Sequence, residues 1–237
     1  MNKTQYIGFH SPKTAGTTTI ATNIAFLKKQ ISEGENIAFL QIAKYGDLDL
    51  HIGAKSLFNF SYLNSFIGTA EFKTQLLSKI AVSLFGVDFY SSPTLPELEN
   101  LSLENLEKIM NLLSQKYDKI FIDLGNDISP EIMDFFLTKL HKIILVGTLA
   151  PISFRTIELF KKEKKLSGIK TYYLLNQCPS ETVKDMETQL KKLDIEFLGV
   201  VPQDTKSCWF QTYEGFLCGL RKRSKLKKAL ISISEKL

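Results

Sequence analysis

Short apolar runs rich in β-branched and aromatic residues alternate along the chain with longer segments whose apolar residues recur at helical spacing. The runs that predict strands are Tyr6–Phe9, Ile37–Ile42, Val82–Tyr90, Ile120–Ile122, Ile143–Val146, Thr171–Leu175 and Phe197–Val201. The segments that predict helices include Leu103–Gln115, Pro130–Leu140, Ser153–Leu166, Glu181–Leu193 and Lys225–Lys236. Strands that alternate with helices favour a mainly parallel sheet covered by helices on both faces. We therefore predict an α/β fold with a doubly wound sheet, in one domain spanning residues 1–237.

The composition is that of an ordinary globular protein, with 44% hydrophobic and 23% charged residues. No stretch approaches the roughly 20 consecutive apolar residues of a membrane span, and the start, MNKTQYIG, lacks the apolar core of a signal peptide. These observations predict a cytoplasmic protein. Neither the cysteines nor the histidines have the sequence spacing of metal ligands. The cysteines are Cys178, Cys208 and Cys218, and the histidines are His10, His51 and His141. The sequence therefore predicts neither a disulfide framework nor a zinc site.

The segment Tyr6–Ala25 predicts a strand, a polar loop and a helix, in the order of a phosphate-binding loop. Such a loop uses several glycines to turn backbone N–H groups toward the phosphates, a lysine to reach the terminal phosphates, and a Ser or Thr hydroxyl to bind magnesium. Here a single glycine, Gly16, remains in the loop. An ordinary polar turn with a helix cap is the alternative interpretation.

The stretch Ser11–Ala21, SPKTAGTTTIA, resembles the deviant Walker A loop of the MinD/ParA superfamily, especially its CpaE-like branch, where SPKGGxGKTTIA is expected. The loop of this chain is one residue shorter. If the gap lies among the glycines, Lys13 matches the signature lysine, Thr17 replaces the phosphate lysine and Thr18 matches the magnesium-binding hydroxyl. A match without a gap instead puts Thr18 at the phosphate lysine. In either case that lysine is absent.

Further segments follow in the order of the superfamily and imply its P-loop NTPase fold. The segment that begins at Tyr117 resembles the Walker B segment and reads YDKIFIDLGNDISPEIMDFF. This match places Asp123 at the position of the carboxylate on the magnesium side. The strand end TYYLLNQC and the turn GVVPQD resemble the base-binding segments, with Asn176 at the adenine contact and Pro202 beside the base. The nucleotide-binding set implied by the resemblance is Lys13, Gly16, Thr17, Thr18, Thr19, Asn176 and Pro202. Thr18 and Asp123 would hold magnesium if it binds, and Lys13 and Asp123 are the implied catalytic residues, both expected to be vestigial.

A second catalytic part also departs from the superfamily pattern. Relatives carry acidic residues just after the second strand, where this chain has FLQIAKYGDLDLHIG, with Gln41 and Ala43, or their neighbours, at the acidic positions. Asp47 and Asp49 follow later and are expected to face solvent. The loss of an ammonium group from the site where the β and γ phosphates concentrate charge should reduce hydrolysis most. We therefore expect a degenerate ATPase, with ATP and magnesium bound weakly or not at all.

The function implied by the resemblance is that of a positioning or assembly factor for a pilus, division, secretion or polarity apparatus. It implies a homodimer, or a heterodimer with a related ATPase, and a protein partner from that apparatus. The alternatives are a functional, slowly hydrolysing ATPase in which Lys13 or Lys44 supplies the missing charge, and a DNA-associating partition factor. A Rossmann dehydrogenase is excluded, because no GxGxxG follows the first strand.

The C-terminal segment is basic and amphipathic. Residues 220–237 carry seven basic side chains and one acid, whereas the whole chain has a net charge of +5. A helix over about 224–237 would place Leu226, Leu230, Ile233 and Leu237 on one face, with the lysines beside it. Such a helix either packs on the domain as its last element or makes peripheral contact with an anionic membrane.

Overall fold

The computed structural model describes residues 4–43, 46–55, 57–92, 101–164, 166, 168–178, 184–207, 209, 215, 217 and 224–237. Eight strands of this part form one sheet in the order β3-β4-β2-β5-β1-β6-β7-β8. Their bounds are β1 Gln5–His10, β2 Ile37–Ile42, β3 Val82–Leu84, β4 Val87–Tyr90, β5 Lys119–Leu124, β6 Lys142–Gly147, β7 Lys170–Leu175 and β8 Glu196–Val200. All neighbouring pairs are parallel except β3 with β4. The predicted mainly parallel, doubly wound sheet is confirmed.

The described helices cover both faces of this sheet. Their bounds are α1 Thr17–Ile31, α2 Leu48–Ile52, a 3₁₀ helix Phe60–Phe66, α3 Thr74–Ile80, α4 Leu103–Ser114, α5 Pro130–Lys139, α6 Pro151–Glu163, α7 Lys184–Lys192 and α8 Lys225–Glu235. The sheet separates two apolar clusters. One cluster lies between the sheet and α1, α2 and α8, and the other lies between the sheet and the 3₁₀ helix and α3 to α7. Both faces of the central strands are buried, which explains their nearly continuous apolar sequences.

A further strand is predicted within Val82–Tyr90, and the structure forms two strands there, β3 and β4. The chain forms a hairpin there, and Phe85 and Gly86 at its turn both have positive φ, +52° and +81°. This is the backbone combination of a type I′ turn, whose twist matches that of the flanking strands. The sequence signal was weak because Phe occupies a position that usually takes Asn or Asp.

The other predicted elements lie within a few residues of the observed ones. The crossover expected over Ser91–Ser102 lies largely outside the described residues, as do the first residues of the helix expected over Glu181–Leu193 and the side chains of Cys208 and Cys218. The helices α2 and α3 and the 3₁₀ helix were not predicted. Their short apolar stretches are too brief to establish a helical period in sequence.

The C-terminal helix α8 packs on α1. Leu226, Leu230, Ile233 and Leu237 are all at most 5% exposed and belong to the cluster beneath α1. A hydrogen bond reinforces this contact, because the Lys28 ammonium donates to the Ser234 carbonyl over 3.3 Å. Of the two alternatives for this segment, the structure shows the packed helix, so its apolar face is not available to a membrane surface. Residues 221–223 of the basic run lie outside the described residues.

The end of α2 lies against Gly215. Gly53 ends α2 with φ +68°, and a Cβ atom there would come within 2.0 Å of the Gly215 carbonyl oxygen. Gly215 also has positive φ, +67°, and a Cβ atom there would come within 2.4 Å of the Gly53 Cα atom. The two backbones can approach this closely because neither residue has a side chain. Within the described part of the chain, no helix is both long enough and apolar enough to span a bilayer.

His10 ends β1 on the face covered by α6. It is 4% exposed, its ring lies 4.5 Å from that of Phe160, and its Nδ1 lies 3.0 Å from the Leu124 carbonyl oxygen. Burial, partly opposed by this hydrogen bond, lowers the pKa of His10 to about 4. The imidazole is therefore neutral in the folded protein at neutral pH.

We predict that Leu230→Ala lowers the free energy of unfolding by about 2–5 kcal/mol, because it leaves a cavity between α8 and α1. Ser232→Ala, at an exposed position of the same helix, should change it by less than about 0.5 kcal/mol. Urea unfolding followed by circular dichroism measures both. Equal stability of the two variants would show that α8 is not docked in solution.

We predict that His10 makes the protein less stable in acid. The pKa of His10 is about 4 in the folded protein, against an ordinary value of 6.5 for a solvated imidazole, so the unfolded chain binds a proton first as pH falls. The stability associated with neutral His10 is complete above pH 6.5 and is lost as pH falls toward 4, by about 3 kcal/mol. Unfolding curves of wild type and His10→Gln across this range measure the loss. The contributions of the other titratable groups cancel when the two free energies of unfolding are subtracted. Parallel pH profiles would contradict the prediction.

Candidate functional site

A group of polar side chains lies at the carboxyl ends of β1, β2 and β5. Asp123 on β5 and Gln41 on β2 are register partners in the parallel sheet, and both are at least 98% buried. The side chains of Phe121 and Phe39, two residues earlier on each strand, belong to the cluster beneath α1. Because side chains alternate between faces along a strand, Asp123 and Gln41 also point toward α1. They interrupt the apolar core where α1 begins.

The loop between β1 and α1 borders a cavity of about 400 Å³ beside these residues. Gly16 precedes α1 with φ +76° and ψ 33°, a left-handed conformation that suits glycine, and no side chain caps the helix. The first backbone N–H groups of α1 therefore lack the usual side-chain acceptor. Within the loop, the Ser11 hydroxyl donates to the Lys13 carbonyl and accepts from the Lys13 N–H over 3.4 Å.

Thr18 and Asp123 form the central pair of the site. The Thr18 hydroxyl donates to the Asp123 carboxylate, with 2.7 Å between Oγ1 and Oδ2. Burial, together with the charge of nearby Asp47, raises the pKa of Asp123 to about 6, and the hydrogen bond from Thr18 acts in the opposite direction. A hydroxyl and a carboxylate in contact are hard oxygen donors of the kind that magnesium prefers. The pair favours the alignment in which Thr18 matches the metal-side hydroxyl and Thr17 stands at the phosphate lysine.

A second chain of polar contacts, Gln41 to Asp47 to His51, forms another wall of the cavity. The Gln41 amide donates to Asp47 Oδ1 over 2.7 Å and accepts from the Leu48 N–H over 3.2 Å. His51 Nε2 lies 3.2 Å from the other Asp47 oxygen. Burial acts to raise the pKa of Asp47, but the hydrogen bonds and charge of His51 and the bond from Gln41 outweigh it, so the pKa lies below its ordinary value.

The expectation that Asp47 and Asp49 face solvent is met only in part, because the Asp47 side chain is 48% exposed and both residues also make contacts inside the protein. Asp47 lines the cavity, and Asp49 accepts a hydrogen bond of 2.8 Å from the Ser91 hydroxyl. The physical reason is α2, a short helix that begins just after Asp47 and turns both carboxylates back toward the sheet. His51 was missed for the same reason. Its spacing of four residues from Asp47 is meaningful only once α2 is known.

The charges around the cavity are mostly negative. Three carboxylates, those of Asp47, Asp123 and Asp127, line it. Among the described lining residues Lys13 is the one lysine or arginine, and its side chain is exposed. Lys44, the other lysine considered for the missing charge, lies outside the described residues. The described walls therefore provide less positive charge than a triphosphate carries in negative charge.

The structure brings together most of the predicted nucleotide-binding residues but not all of them. Those around the cavity are Lys13, Gly16, Thr17, Thr18, Thr19 and Asp123. Asn176 instead lies behind the loop, buried, and donates from Nδ2 to the Ala15 carbonyl over 2.7 Å. Pro202 follows Val201, whose N–H bonds the Leu175 carbonyl over 2.8 Å, so it lies beside the end of β7. The adenine contacts of Asn176 and Pro202 stay predictions.

The oxygen donors present fit a magnesium ion better than a soft metal. Thr18 and Asp123 would hold it, and the ion would offset charge on bound phosphates. No cluster of three or more His, Cys, Asp or Glu suited to a resident metal occurs among the described residues.

The fold agrees with that of solved ATPases. A ParA family ATPase from Chlorobium tepidum superposes with a TM-score of 0.84 at 22% identity, covering 99% of each chain. The septum site-determining protein MinD from Pyrococcus horikoshii, solved with Mg-ADP, gives 0.78 at 21% identity, covering 98% of this chain and 95% of that one. The MinC:MinD cell division protein complex from Aquifex aeolicus superposes with a TM-score of 0.76 at 18% identity. The match covers 98% of this chain and 95% of the other.

Sequence comparison alone does not detect this likeness. No protein-family model matches the chain, and no curated protein is significantly similar to it. At such low identity, structural likeness establishes the fold and leaves the activity to be argued from the site. The chain has the fold of the MinD/ParA ATPases.

Proposed function

We propose that the protein is a degenerate member of the MinD/ParA superfamily that binds a magnesium nucleotide weakly and hydrolyses it slowly or not at all. The observation that carries this proposal is the Thr18–Asp123 pair, intact beside a loop that has Thr17 at the lysine position. The pair supports a retained magnesium site. The threonine supports the loss of the cation that stabilises charge on the transferred phosphate.

The charge around the cavity supports weak binding. Phosphate oxygens placed beside Asp47, Asp123 and Asp127 would be repelled unless a cation intervened. Thr18 and Asp123 would hold magnesium there, and the first N–H groups of α1 would bind phosphate oxygens. A nucleotide without metal would meet the carboxylates directly, so affinity should depend strongly on magnesium.

The biological role that we propose is that of a positioning or assembly factor for a polar, pilus, division or secretion apparatus. The fold shared with ParA and MinD structures supports this class of role. The CpaE-like branch rests on the sequence pattern of the loop. Exposed Lys13, which matches the signature lysine, supports a dimer with a second copy or a related ATPase in which the loops face each other.

We predict that Asp123→Asn abolishes the magnesium dependence of ADP binding. Wild type should bind a fluorescent ADP at least ~10-fold more tightly with magnesium than with EDTA, since about 1.5 kcal/mol or more is expected from one charged contact. The variant should show equal affinities in both. Asp49→Asn is the matched control, because Asp49 lies on α2 and its carboxylate bonds the Ser91 hydroxyl instead. Failure of wild type to bind nucleotide in any condition would overturn the proposed function.

We predict that Thr17→Lys increases ATP turnover by about 10²-fold or more, the size of effect expected when one charge-stabilising group is restored. Thr14→Lys adds the same charge at an exposed loop position that also borders the cavity but does not match the missing lysine, and it should change turnover much less. A coupled assay of ADP release under saturating magnesium and ATP measures the three proteins. Equal turnover in wild type and Thr17→Lys would contradict the degenerate site and favour a competent ATPase.

A further inference from the structure

We propose that Asn176 is a positioning residue that braces the phosphate loop from behind, in place of the glycines that this loop lacks. The inference rests on the proposed function, because the loop is taken to receive the phosphates of a nucleotide. It gives Asn176 a second role, separate from the predicted contact with adenine. The brace joins the end of β7, on the base side, to the start of α1, on the phosphate side.

The contacts around Asn176 hold its side chain in one orientation. Its Nδ2 donates to the Ala15 carbonyl over 2.7 Å, and its Oδ1 accepts from the Gln177 N–H over 2.9 Å. Its own N–H donates to the Gly147 carbonyl over 2.7 Å, which ties the residue to the end of β6. Asn176 is 5% exposed, so these bonds form away from water, where an unmade bond is costly.

The brace acts on the part of the loop that determines where α1 begins. Ala15 is 3% exposed, and Gly16 follows it in the left-handed conformation. A Cβ atom at Gly16 would lie 2.8 Å from the Asn176 Nδ2 atom, so the amide closes the space on that side of the loop. The bond to Ala15 and the contact at Gly16 together fix the peptide that leads into the first N–H groups of α1.

A loop of this composition needs such a support. A phosphate-binding loop usually reaches its shape through several glycines, whereas Thr14 and Ala15 here carry Cβ atoms that restrict the backbone. An external hydrogen bond to the Ala15 carbonyl holds the peptide in place regardless of local backbone preference. The end of β7 thereby contributes to the shape of the phosphate site without touching phosphate.

Amide hydrogen exchange of the ligand-free protein tests the brace directly. In Asn176→Ala and Asn176→Asp, residues 13–19 should exchange about 10-fold faster than in wild type, since one buried hydrogen bond contributes about 1–1.5 kcal/mol. Asp has the same size but no amide donor. Asn23→Ala is the matched control, because buried Asn23 donates to the Thr19 carbonyl over the same 2.7 Å, within α1. Unchanged exchange of the loop in both Asn176 variants would overturn the inference.

Gly16→Ala offers a second route to the same bond if the Asn176 variants do not fold. The added methyl group would displace the Asn176 amide while Asn176 itself is kept. The loop should then exchange faster, as in the Asn176 variants. Because alanine at the positive φ of Gly16 also strains the loop, the decisive result of this variant is an absence of change. Protection equal to wild type in a folded Gly16→Ala protein would count against the brace.

Binding of magnesium pyrophosphate and magnesium ADP separates bracing from base recognition. Pyrophosphate has no base, so a brace predicts that Asn176→Ala weakens both ligands by a similar factor, about 10-fold. A contact with adenine alone predicts weaker ADP and unchanged pyrophosphate, and this result would overturn the inference. If wild type binds neither ligand, the proposed function fails, whereas the exchange experiment still decides whether Asn176 holds the loop.

Discussion

The hydrogen bond between Thr18 and Asp123 depends on the position of β5 between β1 and β2, and the rest of the site is arranged around it. Parallel pairing aligns the carboxyl ends of the three strands, so the β1 loop, Gln41 and Asp123 meet at one edge. The pair is 2.7 Å apart and Asp123 is almost wholly buried. A carboxylate in this place is costly unless a donor or a cation faces it, and Thr18 supplies the donor here.

The site combines oxygen donors of the kind that magnesium prefers with a described lining that has little positive charge. Asp123, Asp47 and Asp127 surround the space that phosphates would fill, and Lys13 extends into solvent. Binding and hydrolysis make different demands on such a site. Metal and backbone N–H groups suffice for a loosely held ligand, whereas phosphoryl transfer needs charge stabilisation that increases in the transition state.

The sequence predicted the fold, the loop and Asp123 because each depends on local patterns in order. Apolar runs located seven strand regions, and strand-terminal Asp123 followed from its place after a buried run. Asp47, His51 and the orientation of Asn176 did not follow, since each depends on contacts between distant segments. Asp47 meets the cavity only because α2 turns it back, and Asn176 reaches Ala15 across 161 positions of sequence. The hairpin at Phe85 was missed because its turn uses an unusual residue.

The opposed glycines, Gly53 and Gly215, make one wall of the cavity dependent on a remote part of the chain. With no side chain between them, the two backbones approach each other closely. A methyl group on either glycine would require the other backbone to shift. The end of the helix that carries His51 is thus in direct contact with Gly215. Substitutions that look peripheral, far along the chain, can for this reason change the shape of the cavity without altering any residue that lines it.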